Sequence, residues 1–205
     1  MDSTPWLPLF PLNTVLFPGG ILPLRVFEAR YVDMVRACMK DGSPFGVVRI
    51  KAGQEVGRAA QPDTVGCLAH IRHWDMRETG ILLLQVEGGA RFSILETRLL
   101  ADQGLEARVD MIAPDPAVAP DAMLLDCARA LKAVIADLAM RAAREPGFVS
   151  PFPPAARLDD AAWVANRWCE ILPIPLEARQ KLMELEGADT RLEIVHQYLK
   201  QHGVI

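Results

Sequence analysis

The sequence has no run of the ~18 consecutive uncharged apolar residues that a membrane-crossing helix needs, although 51% of its 205 residues are hydrophobic. No membrane span is therefore expected. Nor does it have a Cys-x-x-Cys pair: Cys38, Cys67, Cys127 and Cys169 are scattered, which fits no short disulfide framework. They read as reduced, mostly buried thiols. No GxxxxGK[ST] occurs and no GxGxxG follows a strand, so no nucleotide site and no cofactor is assigned. Ser43, Ser93 and Ser150 lack a GxSxG context, so no catalytic nucleophile is assigned either. Basic charge is also in short supply. Lys and Arg number 22 against 26 Asp and Glu, a net charge of −4, whereas a grip on nucleic acid rests on cations displacing counterions from phosphates. Nucleic acid is thus an unexpected partner. The opening Met1-Asp2-Ser3-Thr4-Pro5 lacks the basic start and apolar run of a secretion signal, and a cytoplasmic protein is expected.

What the sequence does have is a core-forming composition and 16 prolines, which fall in clusters. A chain of this length can bury on the order of 70% of its unfolded surface, enough for one full domain or two small ones. Up to residue 113 it reads as short strands separated by turn residues: Leu7 to Phe10, Thr14 to Phe17, Ile21 to Val26, Phe45 to Ile50, Thr64 to Trp74, Ile81 to Glu87, Arg91 to Leu100 and Leu105 to Met111. Many short strands with Gly and Pro at their ends predict a barrel or sandwich. Two hairpins are predicted, one at Glu78-Thr79-Gly80 and one at Gly88-Gly89. A single helix is inserted, from about Phe27 to Asp41, with Gly42 placed to cap it.

Prolines 114, 116 and 120 then break regular structure, and 114–120 reads as a linker between a β-rich domain, 1–113, and a helical domain, 121–205. In the second part Leu124, Ala128, Leu131, Ile135, Leu138 and Ala142 form one apolar stripe, predicting a helix over about 121–145. Phe148 to Pro154 is a proline-rich connector. Three shorter helices follow, at roughly 159–171, 175–186 with Pro175 in its first turn, and 190–202 with a Thr190/Glu193 capping box. The fold class is α+β, a β-rich part followed by a helical bundle.

Cys67, His70 and His73 form a C-x-x-H-x-x-H run. Residues three apart on a strand point to opposite faces, so no metal site is assigned. The richest segment runs from Leu7 to Tyr31. Prolines 8, 11, 18 and 23 each remove a backbone donor and confine these strands to edges, ends and bulges. Glu28 is expected in the first turn of the inserted helix, where its charge suits the helix dipole. Arg25, Glu28 and Arg30 read as an ion-pair network tying helix to sheet.

This segment resembles the opening of the Lon protease N-terminal, substrate-binding domain family, approximately LPLFPL, then FPG, then PLxIFExRY. Here the last part reads Pro23-Leu24-Arg25-Val26-Phe27-Glu28-Ala29-Arg30-Tyr31, with Val26 in place of the usual Ile. The similarity continues at Val65 to Ile71, at Gly88-Gly89-Ala90-Arg91-Phe92-Ser93-Ile94, and more loosely at Leu172-Pro173 and Leu176 to Leu185. It implies a PUA-like pseudo-barrel followed by a helical bundle, and a part in recognising protein substrates. It does not carry over proteolysis, because neither a Walker lysine motif nor a Ser-Lys protease element is found in these 205 residues.

The leading function is therefore a non-catalytic module that binds exposed apolar or extended polypeptide through a groove or sheet edge. Candidate contacts are Trp74 and Met76 beside the first hairpin, and Phe148 and Phe152 in the connector. RNA binding is the alternative, resting on analogy with PUA-like barrels. An unrecognised hydrolase is a third, and it would need a pocket of convergent polar groups.

Overall fold

The structure is a computed structural model that describes residues 5–78, 80–116, 121–145, 148 and 150–205. The chain divides into two compact units at Pro114/Asp115. Thr79, most of the 114–120 segment and part of the connector fall outside the described residues.

The first unit holds β1 (Leu7–Leu12), β2 (Ile21–Val26), α1 (Ala29–Asp41), β3 (Phe45–Ala52), β4 (Gln61–Glu78), β5 (Ile81–Leu99) and β6 (Leu105–Met111). The sheet order is β2-β5-β4-β3-β1-β6, and a further β5–β6 pairing closes the last five strands into a ring. β2 is left outside that ring, added to the first half of β5. Pro23 thus sits on an edge, as a residue without an N–H must.

β1 departs from that expectation, because it has neighbours on both sides. It runs parallel to β3 over Leu9–Leu12 and antiparallel to β6 over Leu7–Leu9. The two ladders overlap only at Leu9. Pro8 therefore lies in register with β6 alone and Pro11 with β3 alone, and neither is asked to bond on two sides.

Alternation along the strands separates two cores. Leu9, Val48, Phe92 and Ala107 fill one face. Phe10, Val47, Cys67, Leu84 and Val86 line the other, where Tyr31, Val35 and Cys38 of α1 pack on them. Phe92 is fully buried because Gly46 and Gly66 leave it room. A Cβ at those positions would meet its ring at 2.7 and 2.5 Å.

Several sequence expectations are corrected. Gly88-Gly89 is not a hairpin, since β5 runs through it as one strand. A Cβ on Gly88 would lie 2.0 Å from the Phe17 carbonyl oxygen, and Gly88 exchanges backbone hydrogen bonds with Gly19 and Gly20 at 2.7 and 2.8 Å. The glycine pair admits the Phe17–Gly20 turn against the strand. Thr14 to Phe17 is irregular rather than a strand, yet Val15, Leu16 and Phe17 are buried. The inserted helix starts two residues later than expected, with Glu28 at the N-cap and not in the first turn, and Phe27 is left 55% exposed.

The second unit contains α2 (Ala122–Arg144), α3 (Ala161–Ile171), α4 (Leu176–Glu184) and α5 (Ala188–Gln201). Asp121 and Asp160 cap α2 and α3 by accepting from the N–H groups of Leu124 and Trp163. The Thr190/Glu193 capping box does not form. α5 begins at Ala188, after Gly187 at φ 87°, because burying Ala188 extends the helix by a half-turn. Pro175 takes the cap position rather than the first turn.

This core encloses charge. Arg191 is 1% exposed and fully bonded: Nε donates to the Leu182 carbonyl at 2.8 Å, Nη2 to that of Leu185 at 2.8 Å, and Nη1 to Asp115 and Asn166 at 2.7 and 3.0 Å. It thereby supplies partners for carbonyls that the end of α4 leaves open.

Candidate functional site

β4 is longer than the strand that flanks it. β3 pairs with it only as far as Ala69, whereas β5 continues beside it to Glu78. Among the described residues, no strand pairs with the outer edge of β4 beyond Ala69. Register shifts in the β4–β5 ladder between Ile71 and His73 and between Asp75 and Glu78 mark irregularities there. Trp74 is 57% exposed and Met76 45% exposed.

Beside this edge is a cleft of about 390 Å³, walled by Met39, Gly42 and Ser43 at the end of α1 and by His70, Ile71, Arg72 and Trp74 of β4. Arg72 is fixed there by Glu87 of β5 at 2.7 Å. A strand edge with no partner strand next to an exposed indole can take an extended chain, the backbone supplying affinity and the side chains selectivity.

A second cleft, of about 420 Å³, lies along α1 against the starts of β1 and β6 and the β5–β6 turn. Cys38 and Ser43 line both clefts, so the two meet at the end of α1. Arg30, of the family-like segment, is buried at its wall. Arg30 donates to the Gln103 carbonyl at 2.8 Å and pairs with Glu28 at 3.0 Å. Its guanidinium also lies 4.6 Å from the centre of the Tyr31 ring, which stacks on Phe10. The Arg30–Glu28 pair binds α1 to the β5–β6 turn and, through Glu28, to the Gly57 N–H. Pro23 and Leu24 are in the edge strand β2, and Arg91 and Phe92 are buried in β5.

The four expected contacts do not converge on one site. Trp74 and Met76 share the β4 edge. Phe148 and Phe152 belong to the helical unit. Phe148 is half-buried with the Arg141 guanidinium 4.8 Å above its ring. Phe152 is a correction: at 5% exposure it is a core residue, closed to a partner.

Sequence reasoning missed both clefts, and it missed an apolar groove of about 360 Å³ between α4 and α5 lined by Leu172, Leu182, Leu185, Ile194 and Tyr198. The only early signal for the α1 cleft was the helical spacing of Arg30, Met34, Ala37 and Asp41, which form one face.

The titratable groups describe the chemistry available. Burial pushes the Cys127 thiol up to about 11 and Cys169 to about 12, so both stay protonated and inert. Glu170 is raised to about 7 by burial, opposed by Arg167, which it meets at 2.8 Å within the helical unit. Among the described residues, no group of three His, Cys, Asp or Glu side chains could hold a metal ion, and no helix is long and apolar enough to cross a membrane.

A five-stranded ring with an added edge strand and one packed helix makes up the first unit, and four helices make up the second. The family model for the ATP-dependent protease La (LON) substrate-binding domain matches residues 6–201, and the chain belongs to that family. It is 31% identical to a solved Lon N-terminal domain protein from Xanthomonas campestris, with a TM-score of 0.74 over 93% of this chain and 96% of that one. The N-terminal domain of Mycobacterium avium complex Lon protease has the same fold, with a TM-score of 0.64 over 97% of this chain and 100% of that one at 19% identity. A Lon protease of Anaeromyxobacter dehalogenans is 29% identical over 204 residues, which are 95% of this chain and 23% of that protein. The chain thus spans about a quarter of the length of such relatives, and the part that matches is the substrate-binding domain.

Proposed function

We propose that this chain is a polypeptide-recognition module that binds without catalysing, taking an exposed apolar or extended segment onto the outer edge of β4. The observation that carries this reading is the β4 segment beyond Ala69, which pairs with β5 on one side and with no described strand on the other, with Trp74 57% exposed beside a cleft of about 390 Å³. An extended chain laid there continues the sheet, and its side chains alternate between the Trp74 face and the opposite one.

Binding rather than chemistry is favoured by the thiols, since Cys127 and Cys169 are held protonated by burial. Polypeptide rather than RNA is favoured by the overall net charge of −4. Four free, buried cysteines fit a reducing compartment such as the cytoplasm.

The test is fluorescence anisotropy with labelled, unstructured peptides rich in alternating apolar residues. Binding in the micromolar range is expected, and Trp74→Ala should weaken it about tenfold or more, as for exposed aromatic anchors. Unchanged affinity in a folded Trp74→Ala variant would move the site away from β4.

A further inference from the structure

The cleft along α1 is walled by apolar side chains, including Met34, Leu100 and Leu105, but its charged rim is mostly acidic. Five charged side chains face it: Arg30, Asp33, Asp41, Asp102 and Glu106. Three are already matched. Arg30 is held by Glu28 and the Gln103 carbonyl, Glu106 pairs with Arg98 at 2.7 Å, and Asp33 approaches Arg36 at 3.7 Å. Among the described residues, Asp102 accepts only the Gly104 N–H, through one oxygen at 2.8 Å. Asp41 has no cationic partner among the described residues.

Two carboxylates from separate elements, the end of α1 and the β5–β6 turn, thus border an apolar cavity with no cationic partner among the described residues, because the arginines at its wall and over its Trp6, namely Arg30, Arg98 and Arg108, pair with Glu28, Glu106 and Glu96. The buried Tyr31 phenol in its wall reports the same field. Burial raises its pKa first, Arg30 lowers it, and Glu28, Glu55 and Asp102 raise it further. The cavity is about 420 Å³, well above the volume of one long side chain. An aliphatic stem with a cationic head matches such a lining, the stem on apolar walls and the head at the carboxylates.

The source of that side chain follows from the meeting of the two clefts. Cys38 and Ser43 line both, so a polypeptide on the β4 edge passes the end of α1 and reaches the acidic cleft within a few residues at about 3.3 Å each. We infer that the α1 cleft is a specificity subsite for a lysine or arginine side chain of the bound polypeptide, selecting extended apolar segments that are flanked by a basic residue. The inference rests on the β4-edge reading and names the class of segment it prefers.

The experiment compares the full chain's affinity for two otherwise identical labelled apolar peptides, one carrying Lys near an end and one carrying Gln there, at low and high salt. The Lys peptide is expected to bind about fivefold tighter at low salt, and the advantage should shrink as salt screens the exposed carboxylates. In a D41N/D102N variant the two peptides should bind alike, at the wild-type affinity for the Gln peptide. Both positions are exposed, and a wild-type circular dichroism melt will verify that the variant is folded. Equal affinity of the two peptides for the wild type overturns the subsite while leaving the β4 edge standing, as does an advantage that survives in D41N/D102N. Failure of both peptides to bind overturns the two readings together. Free spermidine competing only for the Lys peptide's advantage supports the subsite, and no competition at all opposes it.

Discussion

The two units solve the problem of polar groups in opposite ways. The β unit keeps most of its charges at the rim, with Arg30 and Arg91 the buried exceptions: Asp41, Asp102, Arg72 and Glu87 are at its clefts, and its two core clusters are apolar. The helical unit draws charge inward, with Arg167 0% and Arg191 1% exposed and their partners Glu170 and Asp115 at 17% and 7%. Charge placed at a rim is free to meet a partner. Charge placed in a core is committed to one geometry and mainly fixes structure. With the proposed β4-edge site, recognition falls to the first unit and rigidity to the second.

The contrast is broken most strongly at Arg191. Arg191→Ala removes the hydrogen bonds to Asp115, Asn166 and the Leu182 and Leu185 carbonyls, and it should destabilise the helical unit by about 3–5 kcal/mol. Urea denaturation read by helical ellipticity will measure it, and a loss below 1 kcal/mol would mean that water replaces the network. In the β unit the counterpart is steric. Gly88→Ala drives a Cβ into the Phe17 carbonyl, and a cost of about 3 kcal/mol or more is expected in thermal melts, at the upper end for overpacking.

Glu170 sharpens the comparison through pH. Its carboxyl is raised from 4.5 to about 7 in the folded state, so folding favours the protonated form. The stability it contributes is full below pH 4.5 and is lost as pH rises through 7. Between pH 5 and 8 the helical unit should lose about 1–3 kcal/mol, and Glu170→Gln should flatten that profile. The smallest effect on stability is expected at Trp74. Trp74→Ala should shift the melting free energy by less than about 0.5 kcal/mol while weakening peptide binding, which separates a recognition residue from a structural one.

Legibility from the sequence also differed between the units. The apolar stripe of α2 and the caps Asp121 and Asp160 are local signals, and the helical unit follows them closely. In the β unit most strands were legible, and so was the β4–β5 joint between Glu78 and Ile81, but not the path through Gly88-Gly89 or the irregular Thr14 to Phe17. Gly88-Gly89 is written like a turn because the sequence shows a glycine's freedom and not the neighbour it makes room for, which here is Phe17. The exposed pair Trp74 and Met76 was legible by its place beside a hairpin. Phe152 was not, since an aromatic in a proline-rich connector looks the same whether it faces solvent or the core. The α1 cleft was beyond sequence reading because Arg30 and Gln103, 73 residues apart, meet only once the ring of strands has closed.

The divided pairing of β1 has a consequence for synthesis. Leu7 is in register with Ala107, so the strand made first must wait for one made about a hundred residues later. At roughly 5–20 residues per second on the ribosome, that delay lasts on the order of 5–20 s, during which one flank of β1 is open to any passing strand. Pro8 and Pro11 deny an N–H to such an intruder. The prolines that make the ribbon irregular in the finished protein thus guard the nascent chain until β6 arrives to close the ring.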